Sequence, residues 1–295
     1  MTACKICGAE RDERCESATV RCNVRRFRDH EFTVWRCRSC SSIHASEAVD
    51  LDYYYRGYPV LGVQLDWKLK VTYGSLLRRL RRAGLDYGHD ILDHGCGDGL
   101  LVSFLVQQGY SRVVGYDPYS KFYRDETALD KRYDCIVSQD VIEHVDDPQS
   151  LLSLFARLTK PGGIISIGTP DAKRLDLNDP QDYVHALHQP FHRHMFSSPA
   201  LIDAGEKLGW RVHRFYSTMY NNTLFPTMNP RFALHYVRCY DDVWDLLVEP
   251  PRFTSWKIWT PLTLFYALFG YFCDRHTDIM VVFKVPESGA RESGA

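Results

Sequence analysis

Apolar residues in the middle of the chain are grouped in two ways, as short continuous runs and as longer segments with helical spacing. The short runs, which are apolar apart from Asp134, Ser166, Asp278 and Lys284, are typical of buried strands and lie at 91–92, 113–116, 133–137, 164–167 and 278–285. Segments of helical length or spacing lie before and between them, at 65–82 and 100–106. This alternation of strands and helices predicts an α/β domain whose sheet is mainly parallel.

The first of these strands runs directly into a glycine-rich turn, Asp93-His94-Gly95-Cys96-Gly97-Asp98-Gly99. Glycines allow the backbone to pass close to a ligand with no side chain in the way. The spacing is Gly-x-Gly-x-Gly and not the Gly-x-Gly-x-x-Gly of dinucleotide sites, which favours a nucleoside ligand without a pyrophosphate. The second strand ends at Asp117, a position where a carboxylate typically accepts hydrogen bonds from ribose hydroxyls.

The glycine turn and Asp117 together resemble the first motif and the ribose acid of class I S-adenosylmethionine-dependent methyltransferases. The segment 133–148, with its Glu143-His144-Val145-Asp146-Asp147-Pro148 loop, resembles the fourth strand and the following loop of the ubiquinone-type (UbiG-like) branch. The segments 158–167 and 278–285 resemble the fifth and last strands of that branch. The resemblance implies a Rossmann-like α/β sheet that is parallel except for one antiparallel last strand.

The resemblance also implies that S-adenosylmethionine is the cofactor. The residues that it assigns to cofactor binding are Asp93, Gly95, Cys96, Gly97, Gly99, Asp117, Pro118, Gln139, Asp140 and Tyr55. A nicotinamide-dependent dehydrogenase is the alternative, because it too would place Asp117 on a ribose. The Glu143-His144 pair and the last strand argue against that alternative. Between Asp117 and Tyr133 there is barely room for a helix and a further strand, so we expect one edge strand to be shortened or missing.

Three residues are candidates for the chemistry of methyl transfer, which usually requires removal of a proton from the acceptor. His144 follows the fourth strand, and histidine suits this task because its ordinary pKa lies near neutrality. Glu143 would orient His144 or accept a hydrogen bond. His192 lies in a histidine-rich loop at 183–196, of which 191–197 resembles the histidine-containing loop before the last-but-one helix of the ubiquinone-type branch. The same loop is also compatible with a metal site. The carboxylates near enough in sequence to join it are Asp176, Asp179 and Asp182.

The N-terminal segment carries two Cys-x-x-Cys pairs, formed by Cys4 with Cys7 and by Cys37 with Cys40. Two such pairs form a closed tetrahedral site, the pattern of a structural zinc ribbon with strands at 19–24 and 31–36. A redox-active pair is the alternative, but it would be expected as a single pair beside a βαβ unit. Zinc ribbons precede the methyltransferase core in sugar C-methyltransferases of deoxysugar pathways, which this arrangement resembles.

These features divide the chain into six predicted parts. They are a zinc-ribbon module at 1–50, a linker and lid helix at 51–86, the methyltransferase core at 87–216, an aromatic insert at 217–277, the last core strand at 278–286 and a disordered tail at 287–295. The insert includes Phe225, Phe253, Trp256 and Trp259, and we expect it to be a substrate lid, a dimer face or an interfacial membrane patch.

Composition narrows the class of partner. The formal net charge of −1 over 295 residues gives no electrostatic attraction to nucleic acid as a whole. The absence of a signal-like N-terminal stretch and the zinc-type cysteines lead us to expect a cytoplasmic enzyme. We therefore expect a small-molecule, sugar or lipid-linked acceptor. The alternative is an RNA methyltransferase, or a zinc-ribbon nucleic-acid-binding protein with a non-catalytic core, either of which would require a continuous basic face.

Overall fold

The computed structural model of the protein describes residues 3–59, 63–250, 258–273 and 276–287. Phe253 and Trp256 of the predicted insert lie outside the described residues, as does the predicted tail apart from residue 287. The strands are β1 (Ser17–Arg21), β2 (Glu31–Arg36), β3 (Ile43–Ala45), β4 (Ile91–His94), β5 (Val113–Tyr116), β6 (Tyr133–Gln139), β7 (Thr159–Pro170), β8 (His194–Met195), β9 (Arg211–Tyr216) and β10 (Asp278–Lys284).

The helices alternate with these strands in the central part of the chain. They are α1 (Leu51–Tyr55), α2 (Trp67–Arg82), α3 (Leu100–Gln107), α4 (Pro148–Leu158), α5 (Val184–Leu187), α6 (Ser198–Lys207), α7 (Pro230–Arg238) and α8 (Pro261–Phe269). Polar side chains begin most of them; Asp66, for example, accepts a hydrogen bond from the amide of Leu69 at the start of α2. In the same way, the hydroxyl of Ser197 accepts a hydrogen bond from the amide of Ala200 at the start of α6.

The central sheet has six strands in the order β5-β4-β6-β7-β10-β9. The pairs β4–β5, β4–β6 and β6–β7 are parallel, and β10 runs antiparallel to both β7 and β9. This arrangement confirms the predicted α/β sheet with an antiparallel last strand. Between β5 and β6 the described chain forms a single turn of 3₁₀ helix at Glu126–Leu129 and no strand, as the short spacing predicted.

Successive residues of the buried strands face two different apolar layers. Ile91 packs with α2 and α3 on one side of the sheet, whereas Leu92 packs with α4 and α6 on the other. β10 alternates in the same way, with Met280 and Val282 on the first side and Val281 and Phe283 on the second. A strand covered on both faces must be apolar throughout, which explains the continuous runs seen in the sequence.

A second, four-stranded sheet has the order β1-β2-β3-β8. Its last strand, β8, comes from the histidine-rich loop and pairs with β3 through Ile43 with Met195 and His44 with His194. The N-terminal segment therefore shares a sheet with a loop of the central domain. Cys4 and Trp35 are also buried in the apolar layer formed by α4 and α6.

The region between β9 and β10 forms α7, a 3₁₀ turn at Trp244–Leu247 and α8 among the described residues. Its loop is tied to α8, because the amide of Thr227 donates to the carbonyl of Ala267 at 2.8 Å. In the described part of the chain, no helix is both long enough and apolar enough to cross a bilayer.

Candidate functional site

The glycine turn after β4 adopts a backbone that favours glycine at three positions. Gly95, Gly97 and Gly99 have φ values of +80°, +53° and +75°. A Cβ on Gly95 would lie 2.2 Å from Val141, so this glycine is required for packing. A Cβ on Gly97 would meet nothing within 4 Å, which leaves an open surface on the backbone of the turn. A ligand can approach the backbone directly at Gly97.

Asp117 lies against this open surface. Its Oδ2 accepts a hydrogen bond from the amide of Gly97 at 3.0 Å, and its Oδ1 accepts one from the amide of Tyr119 at 2.8 Å. Asp93 is buried beneath the turn, and burial together with the charge of Asp117 raises its pKa to about 7. The structure therefore brings the strand-end acids and the glycine turn together at one edge of the sheet.

The remaining predicted cofactor residues lie at different distances from this edge. Cys96 is part of the turn, and its Sγ would lie 2.8 Å from a Cβ on Gly115; Pro118 is exposed beside Asp117. Asp140, with φ +55°, lines the cavity described below. Gln139 instead donates its side-chain amide to the carbonyl and hydroxyl of Ser166 on β7. The donor group of Gln139 is thus used within the sheet, and its Oε1 has no hydrogen-bond partner.

Tyr55 connects the cofactor edge to the histidines. Its ring stacks on Tyr119 with centroids 5.8 Å apart, and its hydroxyl lies 3.1 Å from Nδ1 of His144. It also contacts Phe191 edge-on, in the loop that carries His192. Tyr55 therefore packs between the turn at Asp117 and the predicted catalytic residues.

Glu143 is fully buried and is held on one side only. Thr169 donates through Oγ1 to Oε2 of Glu143 at 3.0 Å, whereas Oε1 has no hydrogen-bond partner and faces Nε2 of His192 at 4.0 Å. The backbone carbonyl of Glu143 accepts from the amides of Arg193 and His194 at 2.6 and 3.2 Å. Burial raises the pKa of this carboxyl group well above its ordinary value, and the charge of Asp140 adds to the effect.

The two predicted catalytic histidines face each other across the site, with ring centroids 4.7 Å apart and planes at 88°. Nδ1 of His192 lies 2.8 Å from the carbonyl of Ala186, so this nitrogen carries the proton and Nε2 is left unprotonated in the neutral ring. Burial lowers the pKa of His144 to about 4, an effect partly offset by a hydrogen bond to the backbone of Phe191. Burial also lowers the pKa of His192 well below its ordinary value, so both rings are neutral at physiological pH.

Glu143, His144 and His192 could hold a metal ion as well as move a proton. One ligand atom from each lies within 4.8 Å of the other two, and Oε1 of Glu143 is a buried oxygen with no hydrogen-bond partner. The acids suggested by the sequence are arranged differently. Asp182 is paired with Arg238, and Asp176 accepts from Asn178. Among the described residues neither these two nor Asp179 belongs to a group that could hold a metal.

A cavity of about 410 Å³ opens beside these residues. His144, His188 and His192 line it on the side of the central sheet, and α7 forms the opposite wall through residues that include Leu234 and Val237. Its polar lining also includes Tyr58, Asp140, Asp182, His185, Arg231, Trp244 and Asp278. The lining is mainly apolar with a few polar groups, as expected of a small-molecule site.

The four histidines of the loop make different contacts in the structure. His188 is engaged at both nitrogens, with Asn23 at 2.8 Å and the hydroxyl of Tyr58 at 3.1 Å, and His185 contacts Asp242 at 2.8 Å. His194 turns away from the cavity to His44, with the two Nδ1 atoms 3.0 Å apart. Only His192 faces Glu143. Asn23 and Thr169 were not anticipated from the sequence, because each depends on a contact with a distant part of the chain.

The four cysteines of the N-terminal segment converge. The Sγ atoms of Cys4 and Cys40 are 3.7 Å apart, and those of Cys7 and Cys37 are 3.6 Å apart. Zn–S bonds of about 2.3 Å in a tetrahedron require S–S separations of about 3.8 Å. These distances exclude disulfides between Cys4 and Cys40 and between Cys7 and Cys37, and all four cysteines are free. In addition, Nε2 of His44 lies 3.0 Å from the Sγ of Cys4.

Comparison with known proteins identifies the central part of the chain. Residues 68–214 match a family model described as a methyltransferase domain. The ubiquinone biosynthesis O-methyltransferase of Salmonella typhi is 29% identical over 132 residues, which cover 35% of this chain and 54% of that protein. Its mitochondrial counterpart from Dictyostelium discoideum is 30% identical over 115 residues, which cover 28% of this chain and 35% of that protein.

Among solved structures, a putative sarcosine dimethylglycine methyltransferase from Galdieria sulphuraria is 18% identical, with a TM-score of 0.46 over 73% of this chain and 86% of that one. The chain spans between about a third and about a half of the length of the two curated relatives named above. The family match confirms the class of protein that the motifs predicted. Residues 68–214 therefore belong to the methyltransferase domain family.

Proposed function

We propose that the protein is an S-adenosylmethionine-dependent methyltransferase that acts on a small molecule or a glycan precursor. The observation that carries the proposal is the open backbone at Gly97, whose amide donates to Asp117. Tyr55 connects this turn to a cavity that is lined by two neutral histidines, His144 and His192. One end of this arrangement suits a nucleoside, and the other end suits an acceptor whose proton must be removed.

The cofactor would be held by residues at the carboxyl edge of the sheet. Asp117 would accept hydrogen bonds from the ribose, and Gly95 to Gly99 would allow the chain of the ligand to lie directly on the backbone. Tyr55 would cover the ligand between Tyr119 and His144. When bound, S-adenosylmethionine supplies a methyl group on a positively charged sulfur. The contribution of the protein is to orient the two reactants and to exclude water.

His144 would act as the general base. Because burial lowers its pKa to about 4, the ring is unprotonated at neutral pH. Its Nδ1 would take the proton of the acceptor through the hydroxyl of Tyr55, which lies 3.1 Å away and would pass on its own proton as it receives that of the acceptor. Nε2 of His192 would accept a hydrogen bond from the acceptor, since Nδ1 of the same ring donates to Ala186. Glu143, fixed by Thr169, would then hold His192 or the acceptor in place.

The class of acceptor is supported by the cavity and by the relatives. A mainly apolar cavity of about 410 Å³ accommodates a small organic group more readily than a nucleic-acid strand. The two relatives named above are O-methyltransferases of ubiquinone biosynthesis, whose names indicate small-molecule acceptors. The described surface near α7 also carries Asp182 and Asp278, which disfavours a continuous basic path for RNA.

We further propose that Cys4, Cys7, Cys37 and Cys40 hold one structural zinc ion. The S–S separations support this proposal, and four thiolates leave no open coordination position for catalysis. The hydrogen bond from His44 would orient Cys4, as is usual for groups that contact a metal ligand.

Calorimetric titration of the purified protein with S-adenosylhomocysteine tests the central proposal. We expect saturable binding that Asp117→Ala weakens by at least about tenfold, which corresponds to about 1.4 kcal/mol. Asp125→Ala is the matched control, because Asp125 is an exposed acid that caps the turn at Glu126–Leu129. Binding of NAD without binding of the nucleoside thioether would refute the proposal.

A further inference from the structure

Helix α8 exposes its apolar side chains and buries a polar one. Leu264, Phe265, Leu268 and Phe269 are 62%, 46%, 48% and 50% exposed, whereas Thr263 is 7% exposed. A helix on the surface of a water-soluble domain normally has the opposite arrangement, with its apolar face toward the core. The outer face of α8 is therefore suited to an apolar environment.

Hydrogen bonds fix this orientation. The hydroxyl of Thr263 lies 2.9 Å from Nε2 of His235 on α7. Arg231, also on α7, donates to the hydroxyl of Tyr266 at 2.9 Å, and Asn229 donates to the carbonyl of the same residue at 3.1 Å. Rotating α8 to bury its leucines would break all three contacts. The apolar face is thus a built feature of the folded chain.

The apolar surface extends beyond α8. The loop that contains Phe225 is joined to α8 by the hydrogen bond between Thr227 and Ala267. Phe225 in turn contacts Trp67 at the start of α2, with ring centroids 5.4 Å apart, and both rings are about half exposed. Three separate parts of the chain therefore contribute to one apolar face.

The described charge beside this face is mainly basic. Lys68 and Lys70 are exposed on α2 next to Trp67, and the acid there, Asp66, accepts a hydrogen bond from the amide of Leu69. In the segment 241–249, Asp242 and Glu249 pair with Arg21 and Arg25 of the N-terminal segment. Beside the apolar face, the ammonium group of Lys68 lies 6.0 Å from the ring of Trp67. Two exposed lysines beside an apolar face complement an anionic surface.

We propose that the face formed by Trp67, Phe225, Leu264, Phe265, Leu268 and Phe269 rests on the surface of an anionic lipid bilayer, with α8 in the plane of the interface. Nine residues make a helix of about 14 Å, far too short to span the bilayer. An interfacial helix of this kind buries its apolar residues at the boundary between headgroups and acyl chains. Tryptophan and lysine at the edge of such a face suit the headgroup region.

A second copy of the chain is the competing occupant. The centres of protein interfaces favour tyrosine, tryptophan, phenylalanine, methionine and arginine, and leucine is under-represented among the residues that dominate binding. Aromatic residues of the face therefore suit either occupant, but the tyrosine and arginine nearest to them, Tyr266 and Arg231, are turned inward against each other. The exposed leucines and the lysines beside Trp67 favour lipid.

Sedimentation of the full chain with lipid vesicles tests the proposal. We expect binding to vesicles of phosphatidylcholine with about one third phosphatidylglycerol, and much weaker binding to phosphatidylcholine alone. The double variant Leu264→Gln, Phe269→Gln should lower the bound fraction at least about tenfold, because it removes two exposed side chains from the apolar face. Val106→Gln is the matched control: Val106 is 54% exposed on α3, and the variant should bind like the unaltered protein.

Three results would overturn the proposal. They are no binding to either vesicle, equal binding to the neutral and anionic vesicles, and equal binding by the double variant. Sedimentation velocity without lipid provides a fourth such result. If the unaltered protein is a dimer and the same double variant is a monomer, the face belongs to the contact with a second copy of the chain. Circular dichroism of the two variants checks that both keep the fold. The outcome does not depend on methyl transfer.

Discussion

Gly97→Ala tests whether the glycine turn is the surface on which the cofactor lies. The residue has φ +53°, and a Cβ at this position meets no atom of the protein within 4 Å. Gly209, which follows α6, provides a matched control. Its φ is +82°, a Cβ there also meets nothing within 4 Å, and it lies away from the proposed site. The two substitutions therefore introduce similar strain and differ only in what the added methyl group faces.

The expected magnitudes follow from this comparison. An alanine in the left-handed region costs about 1–2 kcal/mol, so each variant should unfold a few degrees below the unaltered protein. At Gly97 the methyl group would also occupy the space that a bound nucleoside needs. The substitution would further disturb the amide that Asp117 accepts from at 3.0 Å. We expect the affinity for S-adenosylhomocysteine to fall at least about tenfold, or about 1.4 kcal/mol, in Gly97→Ala only.

Two measurements on both variants decide the matter, thermal unfolding and calorimetric titration with S-adenosylhomocysteine. Similar unfolding temperatures would show that the strain is matched. If Gly97→Ala then bound the ligand within about twofold of Gly209→Ala, the open turn would not be the binding surface, and the reasoning from its geometry would be refuted. An equal loss of affinity in both variants would refute it as well, because the effect would then be general.

Three further outcomes are expected. His144→Ala should lower kcat much more than the affinity for S-adenosylhomocysteine. Because the pKa of His144 is lowered from its ordinary value of 6.5 to about 4, kcat of the unaltered enzyme should show no loss as pH falls through 6.5. A kinetic pKa near 6.5 would contradict the assignment of His144 as the base. Thr169→Val should lower kcat while Thr127→Val, in an exposed turn, should not; equal rates would exclude support of Glu143 by this hydroxyl. Cys4→Ser should abolish stoichiometric zinc in metal analysis and increase hydrogen exchange at 192–197. Unchanged exchange at 192–197 would show that the cysteine site does not stabilise the histidine-rich loop.

The fold class could be predicted because the strands are buried on both faces. Continuous apolar runs such as 279–283 then identify strands without any long-range information. The lack of a strand between β5 and β6 could also be predicted, since the interval from Asp117 to Tyr133 is too short for a helix and a strand. Proximity of Asp117 to the glycine turn follows from the same logic, because the carboxyl ends of neighbouring parallel strands meet at one edge.

The arrangement of the histidines could not be obtained in this way. Four of them occur within ten residues, and nothing in their spacing distinguishes the one that faces Glu143 from the three that do not. The distinction depends on His188, whose φ of +39° turns the loop, and on the two residue pairs that join β8 to β3. Both features are set by contacts with residues about 150 positions earlier in the sequence, such as Asn23 and His44.

These long-range contacts give the N-terminal segment a direct part in the geometry of the candidate site. The Sγ of Cys4 contacts His44, His44 contacts His194, and the amide of His194 donates to the carbonyl of Glu143. If Cys4 is a thiolate bound to zinc, Nε2 of His44 must donate to sulfur, which leaves Nδ1 of the neutral His44 ring as an acceptor facing His194. The metal would thus set the hydrogen-bonding roles of His44, and His194 in turn contacts the backbone of Glu143. The sequence predicts a module boundary at residue 50, but the hydrogen bonds that position the loop of His192 cross this boundary.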